Sequence, residues 1–206
     1  MKKLGWISFA FFAIVIGLYP LTYLLFDMSQ GLIGSKSKEL LAGGIWKPVF
    51  YAHIYFGGVS LLCGWSQFIK SSRAKYLKLH RLLGKIYVTC VLFSGVAGFY
   101  LAFHATGGTI PSFGFGTLAV FWLTSTAVAF TLIQKKRIDE HQRWMIRSYA
   151  LCFAAVTLRL WIPFFQAVLQ FEFIDGYRII AWLCWVPNLL VAEWIIFNKR
   201  RVALGI

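Results

Sequence analysis

The chain has 206 residues, of which 59% are hydrophobic, 18% aromatic and only 14% charged, with a mean hydropathy of +0.70. A soluble domain of this size needs roughly a quarter of its residues charged, so composition excludes a water-soluble globule, a disordered chain and a secreted disulfide scaffold, and it points to a bilayer. The net charge of +14 does not signal a nucleic-acid partner, because the basic residues sit in short clusters between long apolar runs rather than on one face of a soluble fold.

A hydrocarbon core of about 30 Å needs about 20 apolar residues in a helix. In chain order such runs cover residues 6–26, 49–69, 82–103, 113–134, 149–169 and 179–197. The first follows Lys2 and Lys3 as a signal peptide would, but it is too long for a signal-peptide core and no small-x-small site precedes Asp27, so it reads as a retained helix. The stretch from Asp27 to Trp46 is too short to bury a core of its own, although its 38–42 piece can lie along an interface. The expected fold is an all-α integral membrane protein, a single domain of six transmembrane helices. Cys63, Cys90, Cys152 and Cys184 each fall inside an apolar run, form no CxxC pair and read as small buried hydrophobes.

Counting Lys and Arg in alternate loops gives direction. The group at Lys2 and Lys3, the group from Lys70 and Arg73 to Lys85, the group from Lys135 to Arg147 and the group from Lys199 to Arg201 put sixteen on one side. Only four, Lys36, Lys38, Lys47 and Arg178, are on the other. The positive-inside rule then places both termini in the cytoplasm.

Ionisable groups at membrane depth are functional candidates by default. Arg159 lies twelve residues beyond Arg147, about 18 Å of helix rise, and must find acceptors inside the bundle. Asn188 is at comparable depth, and Glu193 is about 7 Å nearer the cytoplasm, so an Arg159–Glu193 pair would be strained. Arg159 is either a clamp between helices or a grip on an anionic or polarised group such as a haem propionate, a quinone carbonyl or a substrate head group. The four histidines sort by depth into an outer pair, His53 with His104, and an inner pair, His80 with His141. Two imidazoles at one level on different helices are what a b-type haem needs from its protein, while a lone histidine at a span end more often anchors its own helix. His80 and His104 are 24 residues apart on one helix, about 36 Å of rise, which favours a single inner site, or separate metal sites at the two surfaces, over two communicating haems. Gly57, Gly58, Gly84, Gly95 and Gly98 fall inside spans and read as close helix contacts first, and as room for a flat macrocycle second.

The inner segments His80-Arg81-Leu82-Leu83-Gly84-Lys85-Ile86-Tyr87 and His141-Gln142-Arg143-Trp144-Met145-Ile146-Arg147-Ser148-Tyr149, with His53, Gly64-Trp65-Ser66-Gln67-Phe68 and the segment around Arg159, resemble an uncharacterised bacterial membrane family, the domain of unknown function numbered 2306. The resemblance runs from about Tyr51 to Pro163. It implies a six- or seven-helix fold in a bacterial cytoplasmic (inner) membrane and no established activity. In histidine order alone the chain is also similar to two-haem b-type cytochromes. His53, His80 and His141 match the second, third and fifth helices of that pattern, and His104 departs from it.

Three functions follow as expectations. In the first, haem b is held by His80 and His141, with Arg81, Arg143 and Arg147 neutralising propionates, and electrons pass to or from a quinone. In the second, zinc or another metal is held by His80 and His141 with Asp139 and Glu140, as in a membrane hydrolase, although no HExxH is present. In the third, the protein is a transporter or non-catalytic membrane partner that uses Arg159. No GxSxG, P-loop or dinucleotide fingerprint is present.

Overall fold

The computed structural model describes residues 2–26, 33–69 and 74–204, and the secondary structure of these residues is helical throughout. Helix α1 (Lys2–Leu18) passes through a 3₁₀ turn at Tyr19–Leu21, where Pro20 removes a backbone donor, into the short α2 (Thr22–Leu25). The five-residue α3 (Lys38–Ala42) is capped by Ser37, whose hydroxyl accepts from the Leu40 N–H. Then come α4 (Trp46–Gly64), α5 (Leu77–Ala102), α6 (Thr109–Gln134), α7 (Ile138–Cys152), α8 (Ala154–Pro163) ending in a π turn, α9 (Phe173–Leu183) and α10 (Val186–Leu204).

Five segments are long and apolar enough to cross a bilayer: Lys3–Leu25, Leu77–Ala102, Thr109–Gln134, Ile138–Val168 and Phe173–Lys199. The run expected at 49–69 forms α4, which is 19 residues long but is not among the five. Lys47, Pro48, His53 and two tyrosines dilute its apolar character. The fifth run begins eleven residues earlier than expected, because the polar 138–148 segment continues the same helical rod as α7. Lys70 and Arg73 lie outside the described residues.

Helix α4 packs most extensively on α5, α5 on α6 and α6 on α7, while α1 lies against α4, α9 against α6, and α10 against α7. The outward surface carries Phe113 at 70% exposure and Leu190 and Trp194 at 65%. Apolar exposure on that scale suits lipid, where only helices or closed barrels satisfy every backbone group.

Small residues let the helices approach. A Cβ on Gly58 of α4 would sit 2.6 Å from the Gly17 carbonyl oxygen of α1, and one on Gly95 of α5 would sit 2.6 Å from Leu123 of α6. Gly58 and Gly95 therefore serve close packing, as their positions in spans suggest. Gly84 has no atom within 4 Å of such a Cβ and serves no contact.

Three helices are also tied by a buried chain of hydroxyls. Thr126 of α6 donates to the Trp122 carbonyl at 2.8 Å, so it accepts from Ser148 of α7 at 2.7 Å. Ser148 is then left to accept from the Tyr87 hydroxyl of α5, also at 2.7 Å. Each polar group is satisfied where water is absent, which is the condition for burying it without a penalty.

Two outcomes are expected from thermal unfolding of purified protein in detergent. Gly58→Ala drives a methyl into backbone and should cost about 1–3 kcal/mol, whereas Gly84→Ala should be neutral or slightly stabilising. Ser148→Ala, which leaves the Tyr87 hydroxyl without its acceptor, should cost about 1–3 kcal/mol.

Candidate functional site

Between α1, α4, α5, α6, α8 and α9 lies a cavity of about 230 Å³, lined mainly by apolar side chains and by Arg159, Lys36, His53, Tyr23, Tyr177 and Ser94. Among the described residues the lining includes no aspartate or glutamate. Its rim, at Lys36 and Trp46, is the end nearest His104.

Arg159 sits in the first turns of α8 and is carried into the cavity wall by the helix. Its Nη1 donates to the Ala155 carbonyl of its own helix at 2.9 Å, and its guanidinium carbon lies 4.7 Å from the centroid of the Tyr19 ring. Tyr23 and Tyr177 are within electrostatic reach. None of the ion pairs among the described residues includes it. The strained pair with Glu193 does not form, because both carboxylate oxygens of Glu193 are taken by Arg147, at 2.5 and 2.8 Å. Asn188 is likewise engaged elsewhere, donating to Thr157 Oγ1 at 3.1 Å, while Thr157 donates to the Cys184 carbonyl. Arg159 is thus a cation resting on an aromatic face, with guanidinium donors beyond the one used by Ala155.

His53, two turns into α4, is fixed from α5. Its ring Nδ1 meets the Ser94 carbonyl at 2.9 Å, and because a carbonyl only accepts, Nδ1 carries the proton and Nε2 keeps the lone pair of the neutral ring. Ser94 Oγ returns a hydrogen bond to the His53 carbonyl at 2.8 Å. Gly98 provides the notch for the ring, since a Cβ there would fall 2.9 Å from Nδ1 and Cε1. His104 stands two residues past the end of α5, its ring 5.0 Å from that of Tyr100. At the cavity rim Lys36 Nζ donates to the His104 carbonyl at 2.6 Å and to Thr106 Oγ1 at 2.8 Å, and lies 5.8 Å above the Trp46 ring. Burial pushes the Lys36 ammonium below its usual range. Trp46 is 2% exposed, and its indole N–H has no acceptor among the described residues.

The inner histidines lie at the opposite end. Helices α5 and α7 run in the same direction, and His80 and His141 each precede by seven residues the Tyr87–Ser148 contact that joins them, so both stand about 10 Å below it. By this rise the two histidines stand at one level. The His141 ring, however, is turned to α6, with Nδ1–H donating to the Ala129 carbonyl at 2.8 Å. His80 opens α5, its backbone N–H bonded to Tyr76 at 2.9 Å. Of the arginines expected there, Arg81 is exposed, Arg143 bonds the Asp139 carbonyl at 3.3 Å, and Arg147 is committed to Glu193 and lies 4.7 Å over the Trp144 ring. Both oxygens of Glu140 are held by Arg137, at 2.5 and 2.6 Å. No group of three or more His, Cys, Asp or Glu among the described residues is placed to hold a metal ion.

Sequence reasoning singled out His53 and Arg159 but did not join them in one cavity. It missed Lys36, Trp46, Tyr19 and Ser94 as parts of the site. The signal available was a stripe on α4 at Trp46, Phe50, His53, Gly57 and Leu61, which has helical spacing but looks like any packed face.

The fold and cavity define a multi-pass helical membrane protein with a cationic internal cavity. Residues 50–196 match the model of the family described as predicted membrane protein (DUF2306), and the chain belongs to that family. No curated protein and no solved structure matches the chain. The matched stretch includes all four histidines and Arg159, while Lys36, Trp46 and the whole of α1 precede it.

The Arg147–Glu193 pair is partly exposed, with side-chain exposures of 23% and 46%, so it should add little to stability. Glu193→Gln is expected to lower the unfolding temperature by the equivalent of at most about 1 kcal/mol, and to leave ligand binding in the cavity unchanged.

Proposed function

We propose that this protein is a membrane transporter or carrier that binds an oxyanion in the cavity around Arg159. The observation that carries this reading is a guanidinium held in a membrane bundle whose cavity wall, among the described residues, contains no carboxylate. A charge withdrawn from water is costly until it is paired, and the Tyr19 ring offsets only part of that cost. An incoming anion would supply the missing partner, with the remaining guanidinium donors arranged for two parallel hydrogen bonds. Lys36 at the rim adds a second positive charge on the way in. On the positive-inside reading this rim faces away from the cytoplasm.

The test is equilibrium binding and thermal unfolding of purified protein against inorganic phosphate, acetate, octanoate and dodecanoate. Binding by at least one of them should raise the unfolding temperature. Arg159→Gln should weaken that binding about 10- to 100-fold, the worth of a hydrogen bond to a charged group. If no anion in the panel binds in an Arg159-dependent way, the proposal fails.

A second reading is a b-type haem at the other end of the bundle, exchanging electrons with a quinone. It draws on the shared level of His80 and His141, and on the Ala129 carbonyl, which holds His141 in the tautomer that leaves Nε2 for a ligand. Such a haem would have to find its propionate partners in Arg81 and Arg143, because Arg147 is taken. Protein purified from cells supplied with haem should then show a Soret band that His141→Ala removes, and a spectrum without one defeats this reading. The zinc hydrolase is not carried forward, since Arg137 occupies the Glu140 carboxylate on which it relied.

A further inference from the structure

We infer that the oxyanion bound at Arg159 is the head of a single-chain amphiphile, a carboxylate or a phosphate monoester, whose chain lies along α4 toward Leu61. This rests on the reading of Arg159 as an anion site and names the class of ligand.

The shape of the cavity is the first argument. Its wall follows α4 from Trp46 to Leu61, fifteen residues and about 22 Å of rise. Its volume is only about 230 Å³. It lies below the range of about 300–1,000 Å³ that encloses compact drug-sized ligands. A cavity this small, with a wall that follows α4 over that length, suits one extended chain rather than two.

The second argument is the distribution of polarity. The charged groups and the unpaired donor are in the part nearer the rim, Lys36, the Trp46 N–H and Arg159, with the neutral His53 at its lower edge. Below His53 the wall is made by residues such as Ile54, Leu61, Leu118, Trp122 and Leu151. The polar atoms that reach this lower part are already used, since Ser94 Oγ serves the His53 carbonyl and the Trp122 N–H serves the Tyr87 hydroxyl at 3.4 Å. A hydrated inorganic ion would meet no donor there. A hydrocarbon chain regains the contacts that an empty apolar slot lacks.

The third argument is the stranded donor. Trp46 is almost fully buried, belongs to the cavity wall and has an N–H with no acceptor among the described residues. Buried donors in native proteins are nearly always paired. An oxyanion head, or a polar group attached to it on the rim side, provides the acceptor.

The experiment uses the full chain in neutral detergent, with butanoate, octanoate, dodecanoate, dodecyl phosphate, inorganic phosphate and dodecyltrimethylammonium as probes. Affinity should rise about fourfold for each added methylene, the worth of burying one CH₂, until the slot is full. Dodecyltrimethylammonium, equal in chain and opposite in head charge, should not bind. Arg159→Gln should weaken dodecanoate at least tenfold, and Leu61→Trp should shorten the longest chain accepted while leaving butanoate unaffected. The wild-type series decides the matter even if Leu61→Trp does not fold. Equal affinity for butanoate and dodecanoate, or binding of inorganic phosphate as tight as that of dodecyl phosphate, overturns the amphiphile and leaves the anion site standing. Absence of any Arg159-dependent binding overturns both. Preference between dodecanoate and dodecyl phosphate tells which oxyanion the head is.

Discussion

The arrangement depends on keeping one guanidinium in the bundle with no carboxylate beside it among the described residues. Desolvating such a group costs several kcal/mol in real proteins, and the protein offsets this with the Tyr19 face, the Ala155 carbonyl and a cavity that leaves room around the group. Of the seven acidic residues in the chain, Glu140, Glu193 and Asp175 are each paired with another arginine. Those three acids are spent away from the cavity, and none of the acids among the described residues lines it.

The two ends of the bundle are built differently. Around Tyr87, Ser148, Thr126 and Tyr149 every hydroxyl is paired and the side chains are almost fully buried, with Tyr149 donating to the Leu61 carbonyl at 3.0 Å. This is a closed, satisfied core. Toward Lys36 the packing opens into a slot, and there the unmatched donors collect. Interhelical hydrogen bonds in lipid are individually modest, so the first region owes its solidity to the number of bonds joined in series and to the aromatic rings around them. The second region trades some of that packing for space.

Most of the architecture was readable because a bilayer admits so few solutions: long apolar runs must be helices. Five of the six runs meet the requirement on their own terms, while α4 is recovered only as a helix packed on α1 and α5, its apolar character reduced by Lys47, Pro48, His53 and two tyrosines. Arg159 and His53 stood out because charge and imidazole are rare at those positions. The cavity itself did not, since its wall is made of Leu, Ile, Gly and Phe that look identical in sequence whether they meet a neighbour or a void. The histidine pairing was legible in depth but not in direction. Which way a ring turns depends on a single partner, Ala129 for His141 and Ser94 for His53, and such partners have no spacing rule along the chain. Rise per residue showed that an Arg159–Glu193 pair would be strained, but not that the helix face would give Glu193 to Arg147.

The family stretch begins at residue 50, whereas the ring beneath the guanidinium is Tyr19, and Ile16, Pro20 and Tyr23 of the same leading segment complete that side of the cavity. A protein trimmed to the matched stretch would retain the arginine but lose the aromatic shelf, and the acyl chains of the bilayer would then border the charge directly. The opening segment is therefore part of what makes a buried cation tolerable here, as much a component of the binding chamber as the helices that bear its ionisable groups.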